Sequence, residues 1–126
     1  MRDFVEIDVL VVDDQEMMRS LLARVLKDAG FSKVREADGG EAALALLGDT
    51  PADLIFADHS MPKMNGATFI AAVRANSAFG TPRIIMISGM TDPADHKAAR
   101  DAGADIVLVK PVKAPELFRA IEQVLA

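Results

Sequence analysis

Five short runs of Val, Ile and Leu, each followed by a stretch with helical spacing, leave this chain little choice of architecture. The runs are IDVLVV (7 to 12), KVREA (33 to 37), DLIFA (53 to 57), RIIMIS (83 to 88) and DIVLV (105 to 109). Four of them are apolar without alternation, which predicts strands covered on both faces, whereas KVREA alternates and predicts an edge strand. Between and after the runs, Met18, Leu21, Leu22, Val25, Leu26 and Ala29 recur at helical spacing before Gly30, a natural stop. Ala43, Leu44 and Leu47 mark a second helix after Asp38, and Phe69, Ile70 and Val73 a third after Gly66. A fourth opens at Asp92-Pro93 and runs to Gly103 with only Ala98, Ala99 and Ala102 on its apolar face, so it should be weakly anchored. The last begins near Pro115 and repeats Leu117, Phe118, Ile121, Val124 and Leu125. Strand and helix alternating five times imply right-handed crossovers and a five-stranded parallel sheet with five helices, a three-layer α/β sandwich.

The 126 residues suit a single domain, 1 to 126, without repeat, linker or low-complexity tract. A formal charge of -5 repels phosphate backbones and anionic lipid, which argues against direct binding of nucleic acid or membrane. There is no cysteine, MRDFVEID lacks the apolar core of a signal peptide, and no run approaches the ~20 apolar residues that span a bilayer. The expected location is the cytoplasm.

In open parallel sheets, ligands bind beyond the carboxyl ends of the strands. The first strand ends on Asp13 and Asp14, the third on Asp58, the fourth on Ser88 and the fifth on Lys110. Two like charges ~4 Å apart at an effective dielectric of ~20 cost about 4 kcal/mol. Converging carboxylates therefore call for a cation, and few carboxylates with room for water suit Mg²⁺. A lysine and a hydroxyl beside them can neutralise the oxygens of a phosphoryl group in transfer, with one carboxylate as nucleophile. Relief of the repulsion, by Mg²⁺ or by Asp14→Asn, should stabilise the free protein. Each residue also has a plainer reading. Asp13-Asp14 could cap a helix, Asp58 could be a turn residue ahead of Pro62, Ser88 could satisfy an amide, and Lys110 could be a solvated loop lysine. Four complementary groups on one edge of the sheet favour the functional reading.

With these residues in view, the chain resembles the receiver domain of bacterial response regulators, most closely the single-domain chemotaxis type. The likeness runs from Ile7 to Leu125 and rests on VVDD (11 to 14), DHSMPKMNG (58 to 66), Ser88-Gly89 and Lys110-Pro111. It implies a flavodoxin-like (CheY-like) fold with strand order 2-1-3-4-5 and a signalling protein, an enzyme only toward its own aspartyl phosphate. It implies Asp58 as phosphoacceptor from a sensor histidine kinase, with Ser88 and Lys110 on the phosphoryl oxygens. Mg²⁺ would sit on Asp14, Asp58 and the Ser60 carbonyl, with Asp13 acting mostly through water. A cis peptide before Pro111 is also implied, as is output through the surface of helix 4, strand 5 and helix 5 by a monomer.

Departures are equally legible. Receivers commonly carry Tyr or Phe three residues before the lysine, where this chain has Val107, and it has no tyrosine. The residue after Lys110-Pro111, often Phe, is Val112, and Ser60 and Met90 are the variable residues flanking the acceptor. A phosphorelay intermediate, a phosphate sink, or the N-terminal receiver fragment of a longer regulator would share these motifs. An aspartyl-phosphate hydrolase would need an acid two residues after its nucleophile, where Ser60 stands. Met18 and Met86 read as core by spacing, Met61 and Met64 as packing for the acceptor loop, and His59 and His96 as surface residues. Gly39-Gly40 lacks the rest of a nucleotide fingerprint.

Overall fold

The structure, a computed structural model, describes residues 4–126, so the first three residues of MRDFVEID lie outside it. After a short 3₁₀ turn at Phe4–Glu6 come β1 (Asp8–Val12), α1 (Glu16–Asp28), β2 (Lys33–Ala37), α2 (Gly40–Asp49) and β3 (Leu54–Asp58). Then follow α3 (Gly66–Ala75), a second 3₁₀ turn at Ser77–Phe79, β4 (Arg83–Ser88), α4 (Pro93–Ala102), β5 (Ile106–Val109) and α5 (Ala114–Leu125). The strands form one parallel sheet in the order β2-β1-β3-β4-β5. Chain order reverses at β1, so the crevice between β1 and β3 opens at their carboxyl ends.

Successive side chains on a strand point to opposite faces, and the core divides accordingly. Val9, Val11, Leu54, Phe56 and Ile85 face α1 and α5, meeting Leu26, Ile121 and Val124. Leu10, Val12, Ile55, Ala57, Ile84 and Met86 face the other helices, meeting Leu47, Phe69, Ile70 and Val73. β3, central and apolar until its last residue, is buried at all five residues and ends on Asp58. No helix among the described residues is long and apolar enough to cross a membrane.

Local chemistry explains the helix ends. Gly30, at φ 115°, takes the chain out of α1 in a conformation most residues avoid. Asn65 Oδ1 accepts from Thr68 N at 2.9 Å to cap α3, and Asp92 Oδ1 accepts from Ala94 N at 2.9 Å to cap α4, with Pro93 as its first residue. As the alanine pattern implied, α4 buries Ala99 alone. Lys110-Pro111 is cis.

One expectation fails. Met18 and Leu21 do not join the core: they are 44% and 56% exposed, because the face of α1 against the sheet is centred on Leu22, Ala23, Val25 and Leu26. β5 packs on both faces, Val107 against one core and Ile106 and Leu108 against the other, but as the outer strand it has all four residues only half-buried. Its unbroken IVLV run reads as a central strand, and only its place in the sheet makes it an edge.

Candidate functional site

Asp58 leaves β3 with its side chain inside the protein, 5% exposed. The backbone around it is pinned: His59 N donates to Ile87 O at 2.9 Å, and Gly66 N donates to His59 O at 2.9 Å. The second bond folds the loop from His59 to Asn65 back so that α3 starts against the end of β3. Only glycine fits there, because a Cβ on residue 66 would lie 2.5 Å from the Asp58 carbonyl oxygen. Lys63, at φ 67°, makes the turn at the loop tip.

From β1, Asp13 N donates to Ala37 O at 3.1 Å, while Asp13 Oδ1 accepts from Gln15 N at 2.9 Å. Arg19 on α1 was not among the residues singled out by motif. It donates from Nη1 to the Asp13 carbonyl at 2.9 Å and pairs through Nε with Glu36 Oε1 at 3.2 Å, tying α1 and β2 to the turn that carries the acidic doublet. No local pattern announces such a contact, since Arg19 and Glu36 are 17 residues apart.

The ends of β1 and β3 bring Asp13, Asp14 and Asp58 together, with one carboxylate oxygen from each lying within 4.8 Å of the others. From β5, Lys110 reaches across with Nζ 2.8 Å from Asp58 Oδ1. That contact is an ion pair without hydrogen-bond alignment, so the buried Oδ1 accepts no hydrogen bond. Ser88, 2% exposed, closes the site from β4, and its Oγ accepts from Met90 N at 3.0 Å. Lys110 N donates to Ser88 O at 2.8 Å, which sets the two strand ends in register. Ser60 is exposed in the loop after β3, its hydroxyl 3.5 Å from His59 Nδ1. Asp13, Asp14, Asp58 and Lys110 thus meet in one place, and Ser88 ends the strand next to Asp58.

The charges do not balance, with three carboxylates facing one ammonium. The repulsion registers at Asp13, whose carboxyl is pushed above its ordinary value chiefly by burial and further by Asp58 and Asp14, against the Gln15 amide and Lys110. Asp14, the other member of the doublet, is exposed to solvent. A hard divalent cation with oxygen ligands fits this donor set, in which three converging carboxylates face one ammonium.

The sequence model of the response regulator receiver domain matches residues 9–122. The chain belongs to the response regulator receiver domain family. This receiver is 36% identical over 119 residues to the probable chemotaxis protein CheY of Rhizobium etli, covering 94% of its own length and 92% of that protein. The solved structure of the Vibrio cholerae chemotaxis protein CheY4 superposes with a TM-score of 0.87 at 34% identity, over 94% of this receiver and 98% of that chain. A chain in the CheX-CheY-BeF3-Mg complex from Borrelia burgdorferi superposes with a TM-score of 0.85 at 26% identity, over 95% and 90% of the two chains. This receiver carries an acidic cluster at the ends of β1 and β3, and its Val107 on β5 is half-buried and packed against the core beneath α4.

Proposed function

We propose that this receiver takes a phosphoryl group onto Asp58 from a phosphohistidine of a sensor histidine kinase, in a Mg²⁺-dependent reaction, and reports the event through the α4-β5-α5 surface. The observation that carries this reading is the buried Asp58 carboxylate, held by charge against Lys110 with an oxygen that accepts no hydrogen bond. An Asp58 oxygen attacks phosphorus, the P–N bond breaks, and its electron pair leaves with the donor imidazole. Lys110 and the Ser88 hydroxyl lie where negative charge develops on the phosphoryl oxygens. Asp13, Asp14, Asp58 and the Ser60 carbonyl would hold Mg²⁺. When bound, it supplies positive charge to the same oxygens. The donor would approach over α1, where Met18 and Leu21 border an apolar groove of about 460 Å³ that also reaches Asp13 and Lys110.

On this reading residues 1–126 act as one monomeric cytoplasmic domain whose only chemistry is on its own aspartate. The chemotaxis names of its relatives favour a chemotaxis role. A phosphorelay intermediate or phosphate sink is the second reading, favoured by one observation: Val107 cannot serve as an aromatic switch.

Intact mass after incubation with acetyl phosphate tests the proposal. The expected result is a gain of one phosphoryl group that needs Mg²⁺ and is lost in Asp58→Asn. A gain that survives in Asp58→Asn, or no gain at all, would overturn the assignment.

A further inference from the structure

Ser88 is the point where the pocket touches the segment leading to α4, and that segment is held by a short chain of contacts. Ser88 Oγ accepts from Met90 N at 3.0 Å, and the Met90 carbonyl in turn accepts from Nε2 of His96 at 2.6 Å. The acceptor is a carbonyl, so the imidazole nitrogen facing it carries the proton. His96 lies in the first half of α4 and is half-buried. Among the described residues it makes the one side-chain hydrogen bond between α4 and the loop from Gly89 to Thr91.

The other end of α4 is fixed differently. Arg74 on α3 donates from Nε at 3.1 Å and from Nη2 at 2.9 Å to the carbonyl of Gly103, the residue that ends the helix. Gly103 sits at φ 124°, and a Cβ there would run into the Arg74 side chain at 2.5 Å. Between these two ends only Ala99 is buried. Helix α4 is therefore clamped at its C-terminus, lightly packed along its length, and tied at its N-terminal half to the loop that Ser88 holds.

We propose that His96 is a latch: its bond to the Met90 carbonyl couples the position of Ser88 to the seating of α4. When Ser88 turns toward a phosphoryl group on Asp58, Met90 N loses its acceptor, the loop carrying the Met90 carbonyl moves, and α4 swings about the Arg74–Gly103 clamp. His96 is a positioning residue and touches no reacting atom. The inference rests on Asp58 as the acceptor.

Coupling between two sites is reciprocal. A latch that holds the resting arrangement must oppose binding of a phosphoryl mimic, and its removal must favour it. Calorimetric titration with beryllofluoride in the presence of Mg²⁺ reads the affinity, and amide NMR shifts of residues 95 to 98 read the position of α4. For His96→Ala the expected result is beryllofluoride binding tighter by about three- to ten-fold, the range one net hydrogen bond supplies. The free variant should also have α4 shifts already displaced toward those of the loaded wild type. Lys97→Ala is the control. It breaks the exposed Lys97–Asp101 pair within the same helix, 2.8 Å in length, and should leave the affinity unchanged. Equal affinity in His96→Ala and wild type would overturn the latch while leaving the acceptor assignment standing, as would tighter binding in both variants. A wild type that binds no beryllofluoride would remove the acceptor assignment and the latch with it.

Discussion

The loops after β3 and β4 start side by side in the same pocket and are built to opposite standards. After Asp58 the chain is held by two backbone bonds, a glycine with no room for a Cβ, and a helix that buries Gly66, Phe69, Ile70 and Val73. After Ser88 it runs exposed through Met90, Thr91 and Asp92 into a helix that buries one alanine. Burial scales with the cost of local opening, so α4 and its loop are the region that can move at low cost while β3 and α3 stay in place. On the proposed reading, the phosphoacceptor is preorganised, and Ser88 leads into a lightly buried segment. That division of labour suits a switch.

The contrast can be broken by substitution, and the largest effect should come from the rigid side. Phe69→Ala removes a fully buried ring from α3 and should cost about 3–5 kcal/mol, whereas Ala99→Gly in α4 should cost about 1 kcal/mol, both read by denaturant unfolding. Costs within 1 kcal/mol of each other would erase the distinction. Gly66→Ala should come next, at about 1–3 kcal/mol, because its Cβ must push away the Asp58 carbonyl. Phosphorylation by acetyl phosphate should slow in the same variant, since the displaced atom belongs to the acceptor. Normal phosphorylation with normal stability would mean the close approach does not position Asp58.

The smallest effect is electrostatic. Asp13 has a raised folded-state pKa, so the native state holds that proton more tightly than the unfolded chain. Stability should therefore fall as pH rises from the ordinary carboxylate value of 3.8 through the raised one, then level off. Asp13→Asn should lack that loss and be the more stable protein at neutral pH without Mg²⁺. Parallel stability curves for the two proteins would show that Asp13 bears no strain.

Much of this was legible in the residues. β2 and β4 have the bounds their apolar runs suggest, and the strand-end residues Asp13, Asp14, Asp58 and Lys110 meet where a parallel sheet must bring them. What stayed hidden depends on long-range placement. Helical spacing says that Met18 and Leu21 share an apolar side of α1 but not that the sheet meets that helix one residue further round, and composition cannot tell an edge IVLV from a central one. The strand order came from resemblance, because periodicity alone does not choose it. Arg19 and His96 act through contacts to backbone carbonyls, which accept from any donor and leave no signature in the chain.

Amide hydrogen exchange, with and without beryllofluoride and Mg²⁺, tests the contrast between the two loops most directly. The account predicts slow exchange across β3 and α3, residues 54 to 58 and 66 to 75, that the mimic leaves unchanged, and a change largest in residues 89 to 103. A change centred on α3, or one spread evenly over the chain, would contradict it.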